Sequence, residues 1–465
     1  MKRSTQALIT LVAMFAAVAL PAQQNTDSPT SGGKQPAADT SKGVTKVEKK
    51  AFSLYAPPIE IQHLRANDQR GVNVFETPKN DGVPYTGFRL NFGAAFTQQF
   101  QGLSHENTAA EKLVNNVNAN KLMEIGNGFN NASANLYMNA QLAPGIRVAL
   151  TTYLSSRHHQ ETWVKDGFLL IDDSPFDVAA LKNIMKYVTI RAGHFEINYG
   201  DAHFRRSDNG NAMYNPFVGN LVMDAFTTEV GAELYLRSPS GLMAMGAVTG
   251  GEIKGNVLTP DDRAPAYLTK LGFDRQINDD VRIRLTGSRY SNAKSPGGTL
   301  FAGDRAGSRY FFVLENTAAT STAQASSGLV NPQFRRSVTA YQINPFIKVQ
   351  GLELFGVIEQ AKGTNSATEA EKRTWNQYSG EAVYRFLPGE KMYVATRYNT
   401  AKGELVGMTN EVGVSRTQFG GGWFLTPNVL MKAEWVNQKY NDFPTTDIRN
   451  GGKFKGLMFE GVVAF

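Results

Sequence analysis

Phe88-Arg89-Leu90-Asn91-Phe92-Gly93-Ala94-Ala95-Phe96-Thr97 places Phe88, Leu90, Phe92, Ala94 and Phe96 on one parity and Arg89, Asn91, Gly93, Ala95 and Thr97 on the other. Successive side chains of a strand point to opposite faces, so this run makes a strand with one greasy and one wet face. The pattern recurs. Leu136, Met138, Ala140 and Leu142 alternate with Asn135, Tyr137, Asn139 and Gln141, and Ile146, Val148, Leu150, Thr152 and Leu154 follow after Ala143-Pro144-Gly145. Sixteen segments of this kind are expected, at 88–103, 130–142, 146–157, 162–173, 187–200, 228–238, 242–252, 266–276, 281–291, 337–348, 352–363, 374–387, 391–403, 414–425, 429–440 and 454–465. The apolar run Arg309 to Leu314 is not counted, because a strand there would move the Val349-Gln350-Gly351 turn to the wrong side.

A soluble β-sandwich also alternates, and three further features separate the two cases. The connections fall into tight turns and loops of about 10 to 40 residues, the length asymmetry of outer-membrane barrels. Lys2 and Arg3 precede the apolar run Ala7 to Leu20, which reads as a cleaved signal peptide over residues 1–22. Finally Leu457, Phe459, Gly461, Val463 and Phe465 share one parity, as in a last strand ending on an aromatic residue. The expected fold is all-β, a transmembrane antiparallel β-barrel of sixteen strands over residues 86–465. Residues 23–50 read as a polar linker, and 51–85, with Ile59, Ile61, Leu64 and Val74, as a periplasmic or plug segment.

Composition agrees. The chain of 465 residues has 44 Gly, 28 Phe, 17 Tyr, 4 Trp and no Cys, which suits a large β protein and excludes disulfides and thiolate metal sites. A net charge of +7 is mild for this length and argues against nucleic-acid binding. Six His without a metal-ligand spacing, His158-His159 among them, imply no metal and no cofactor. Gly420-Gly421-Gly422 falls within a strand, where it permits close approach of a neighbouring chain and does not form a phosphate loop. No nucleophile and base spacing supports an enzyme.

Sixteen strands enclose a bore wide enough for water. The inward parity carries Arg89, Arg147, Arg191, Arg237, Lys270, Arg282, Arg284, Lys348, Arg385, Arg397 and Lys432, against Glu229, Glu233, Asp274, Glu353, Glu359, Glu381 and Glu434. That excess of cations leans a pore towards anions. The third loop, Asp201 to Thr228, combines His203, Arg205 and Arg206 with Phe204, Tyr214, Phe217, Leu221, Val222 and Phe226. So much apolar content is expected to fold into the barrel as a constriction. The loop at 292–336 is expected to be long and external.

The stretch Trp163-Val164-Lys165-Asp166-Gly167-Phe168-Leu169, then Val188-Thr189-Ile190-Arg191-Ala192-Gly193-His194-Phe195-Glu196-Ile197-Asn198-Tyr199-Gly200 and Glu229-Val230-Gly231-Ala232-Glu233, resembles the phosphate-selective porins of Gram-negative outer membranes. The resemblance covers about residues 160 to 250 with specificity and the rest of the barrel in pattern. It implies a sixteen-stranded, often trimeric channel whose basic lumen residues pass anions. The functional expectation is passive diffusion of small hydrophilic solutes, leaning towards anions such as phosphate. Its competitor is a surface interaction or scaffold barrel with a plugged lumen.

Overall fold

The computed structural model describes residues 56, 58–77, 79, 82–130, 132–155, 162–253, 257, 259–302, 309–320 and 326–465. The signal peptide, the polar linker and His158-His159 lie outside the described residues.

The chain folds as a closed sixteen-stranded antiparallel barrel. Its strands are Arg89–Glu106, Ser133–Ala143, Ile146–Leu154, Thr162–Ile171, Val188–Glu196, Thr228–Arg237, Leu242–Thr249, Ala266–Gln276, Val281–Asn292, Ser337–Val349, Leu352–Thr364, Arg373–Phe386, Met392–Glu404, Glu411–Thr426, Val429–Asn441 and Lys453–Ala464. Each pairs with the next, and the first closes on the last from Ala95 opposite Ala464 to Glu106 opposite Lys453. The two-residue strand Gly128–Phe129 adds a short pairing to Phe100 and Gln101. Closure leaves no open sheet edge, which is how strands satisfy their backbone polar groups without water.

The alternation sorts side chains as the sequence implies. On the first strand Leu90, Phe92 and Phe96 are 48%, 67% and 45% exposed, whereas Ala95, Thr97, Gln99 and Gln101 are buried. Leu234, Leu271, Leu354, Val394, Phe419, Trp423 and Phe459 likewise face outward. Removing such a side chain from water is worth about 1.5–3 kcal/mol, so a belt of them around the whole wall fits lipid and not water.

The expected division of connections needs two corrections. On the long-loop side 365–372 and 405–410 are shorter than expected, beside 155–161, which the expected strand bounds already leave short. At the tight-turn end the connection 172–187 is long and contains the helix Ala179–Met185, whose Ala-Ala-Leu start favours helix. The run Arg309 to Leu314 is outside any strand, as expected. The loop that contains it is less external than expected, because its apolar side chains turn back into the barrel: Leu300, Phe301, Tyr310, Val313, Val330 and Phe334 are all buried.

Candidate functional site in the lumen

The fifth strand stops at Glu196, four residues short of its expected end, because the chain turns into the bore there. Gly200 makes that turn at φ 69°, and a Cβ at this position would overlap the Gln342 side chain. The third loop then crosses the lumen. Its entry is pinned by Asp201, which accepts from Arg284 at 2.8 Å and Thr286 at 2.8 Å and pairs with Lys270 at 2.7 Å. Near its first tip, Asn209 donates to the Ala134 carbonyl at 2.7 Å, and Lys165 bridges Asp208 at 3.0 Å and Glu196 at 2.6 Å.

On the far wall Lys432 donates to the carbonyls of Ala212, Asn215 and Phe217 at 3.0, 3.2 and 2.9 Å. Glu434 accepts the N–H groups of Val218 at 2.8 Å and Gly219 at 3.1 Å, while Asn399 and Gln377 accept those of Val222 and Met223 at 2.6 and 2.9 Å. Phe217, Val218, Val222 and Met223 are fully buried. The Gly420 position lets Phe217 seat there, since a Cβ would lie 3.1 Å from its ring, and Gly422 clears the Tyr393 ring in the same way.

The loop between the ninth and tenth strands packs on this one. Tyr310 donates to Glu434 at 2.6 Å, Arg416 to the Gly328 carbonyl at 2.7 Å, and Val330 N–H to the Val222 carbonyl at 2.9 Å.

From the tight-turn end, residues 58–77 lie across the mouth. Gln69 bonds the Pro427 carbonyl at 2.9 Å and the Gly389 carbonyl at 2.8 Å, Asn67 the Phe465 carbonyl at 3.3 Å, and Gln62 donates from its backbone to Gln141 at 3.0 Å. Deeper in, Asn73 donates to Glu353 at 2.5 Å and Phe75 packs edge-on to Phe346 and Phe204. Glu76 pairs with Arg284 at 2.7 Å and Lys270 at 2.9 Å. Burial pushes the Glu76 carboxyl up, but these two cations outweigh it and hold the group well below the usual carboxylate range.

Most of the lumen cations expected from the sequence are engaged with carboxylates. Arg191 meets Glu233 at 2.6 Å, Arg282 meets Asp274 at 2.7 Å, Lys348 meets Glu390 at 2.6 Å, Arg385 meets Glu353 at 2.6 Å and Arg397 meets Glu381 at 2.7 Å. Arg284 and Lys270 share Asp201 and Glu76, and Lys432 pairs with Glu460. Arg89 stands half-exposed at the strand's start, 3.9 Å from Glu60. Arg147 donates to Asn139 at 2.9 Å and Arg237 to the Thr77 carbonyl.

In the third loop, Arg205 reaches Glu381 at 2.5 Å and Glu353 at 3.3 Å, and Arg206 reaches Asp224 at 2.6 Å. His203 sits between Glu196 and Asn198 at 3.1 and 3.0 Å. Burial pushes its imidazole below the ordinary range despite Glu196.

The sequence reading missed Arg65, Asn73, Glu76, Lys165, Asp201 and Asp208. Two of the luminal acids are held by neutral groups: Glu359 by Tyr199, Gln342 and Gln377 at 3.0, 3.1 and 2.9 Å, and Glu229 by Tyr290 at 2.7 Å. Between the third loop, residues 64–77 and the second to sixth strands a cavity of about 260 Å³ remains. Its charged lining is Arg65, Arg147, Lys165, Arg191, Arg206 and Arg237 against Glu76, Asp166, Glu196 and Asp208. Among the described residues no group of three or more His, Asp and Glu could hold a metal ion.

These features define a transmembrane β-barrel whose polar lumen is crossed by its own third loop. No family model and no curated protein matches the chain. Among solved structures it is similar to an anion-selective porin from Comamonas acidovorans, at 11% identity and a TM-score of 0.48 over 81% of this chain and 100% of that one. It is similar to OprB of Pseudomonas putida at 10% identity and 0.48, over 84% and 98% of the two chains. OmpT, an outer membrane protein of Vibrio cholerae seen in a trimer form, gives 9% and 0.47 over 82% and 100%. Likenesses this distant say nothing of what the present chain carries.

Proposed function

We propose that the chain is an outer-membrane porin that lets small hydrophilic solutes diffuse, leaning towards anions such as phosphate. The observation that carries this reading is the internal cavity, with six basic against four acidic side chains in its lining. A polar, charged interior inside an apolar wall suits a water-filled path and not a lipidic one. Arg65 and Arg237 in that lining donate to backbone carbonyls and keep their charge for anions, whose attraction is about 1 kcal/mol each in water and more in a narrow bore. Homotrimeric assembly, which the family resemblance implies, belongs to the same reading and is checked by chemical cross-linking. The test of transport is conductance in planar bilayers with the reversal potential measured across a KCl gradient. A folded barrel that passes no current would sink the proposal, and a cation-selective current would remove its anion part.

A second reading, a barrel plugged by its N-terminal segment, is favoured by the contacts of residues 58–77 with the mouth. Deleting 58–77 distinguishes the two. A plug gives a jump in conductance, and a segment that merely borders an open path gives none.

A further inference from the structure

The helix Ala179–Met185 has no buried residue. Val178, Leu181 and Ile184 recur at helical spacing on one face, 49%, 40% and 55% exposed, with Phe176 and Tyr187 at 62% and 48% on either side. Lys182, Asn183 and Lys186 occupy the opposite face, with Lys182 held by Asp177 at 2.6 Å. An apolar stripe left bare on a short helix is unfavourable in water.

What covers it follows from where the helix begins and ends. Tyr187 lines a groove on the outer wall together with Leu236, Leu242, Leu271, Leu285 and Ile343. Those side chains face outward, from 48% to 67% exposed, and belong to the lipid-facing belt. The helix therefore grows from the edge of the belt at the tight-turn end. Its two faces match the two halves of a membrane interface, with apolar groups towards acyl chains and lysines towards headgroup phosphates.

We propose that residues 176–187 form an interfacial foot, lying in the leaflet at the tight-turn end with Val178, Leu181 and Ile184 in the acyl boundary and Lys182 and Lys186 at the phosphates. The partner is a phospholipid surface.

The absence of cysteine makes the test direct. The full chain is refolded into phosphatidylcholine and phosphatidylglycerol vesicles as Leu181→Cys or Lys182→Cys, each labelled with an environment-sensitive fluorophore. Heat-modifiable gel migration checks that the barrel has formed. The expected result is a blue-shifted label at position 181, quenched by nitroxide lipids spin-labelled near the headgroup and several-fold less open to aqueous iodide than the label at 182. Equal iodide quenching at the two positions would overturn the proposal. A blue-shifted label at 181 that lipid nitroxides do not quench, with cross-linking between copies, would also overturn it in favour of a protein contact.

Discussion

Arg205→Ala tests whether salt bridges to the far wall hold the third loop across the bore. Arg205 is buried and bonds Glu381 at 2.5 Å and Glu353 at 3.3 Å. Removing one partner of a buried ion pair is worth about 3–5 kcal/mol. The lower end applies, because Glu353 keeps Arg385 at 2.6 Å and Glu381 keeps Arg397 at 2.7 Å. About 3 kcal/mol corresponds to a rise of roughly a hundredfold in the undocked loop. The lumen also becomes more negative by one charge. In single-channel recordings the variant should therefore show larger and noisier currents, and its reversal potential should move towards cations. Arg205→Lys, which keeps the charge and loses the fork, should keep the reversal potential and show part of the noise. A correctly folded Arg205→Ala barrel with unchanged current, noise and selectivity would refute the reasoning.

Glu76 sets the acid limit of the N-terminal segment's docking. Its carboxyl is held below the usual range, so its contribution is fully present above the unfolded value of about 4.3 and is lost progressively as pH falls from there through the lower folded value. Protection of residues 58–77 from pepsin should persist at about pH 4 and disappear at more acid pH, and loss already at pH 5 would contradict this. Gly420→Val should push Phe217 from its seat at about 1–3 kcal/mol and increase channel noise. Gly380→Val, with open space at its Cβ, should leave the recordings unchanged.

The barrel was legible because its signal is local. Alternation from Phe88 to Thr97 needs no knowledge of the partner strand, and the turns at Pro144-Gly145 or Pro427-Asn428 announce themselves. The inward third loop was legible for a similar reason, since Phe217, Val222 and Phe226 have no use in water. The same argument applied to Phe301, Tyr310 and Phe334 would have turned the loop between the ninth and tenth strands inward too. Charge pairing was not legible. Glu76 meets Arg284 across 208 residues and Arg205 meets Glu381 across 176, and nothing local to either residue marks the partner. The lean towards anions drew on strand residues, on the basic third loop and on the resemblance, while Asp201, Asp208 and Glu76 enter the lumen from outside the strands.

The bond from Asn67 to the carbonyl of Phe465 joins residues 398 apart. Gln69 likewise reaches the carbonyl of Pro427, on the turn before the fifteenth strand. These acceptors stand side by side at one mouth only after the first strand has zipped onto the last. The docking of the segment that precedes the barrel in the chain therefore depends on a shut ring. A barrel with its seam open would lack this set of acceptors and leave residues 58–77 undocked.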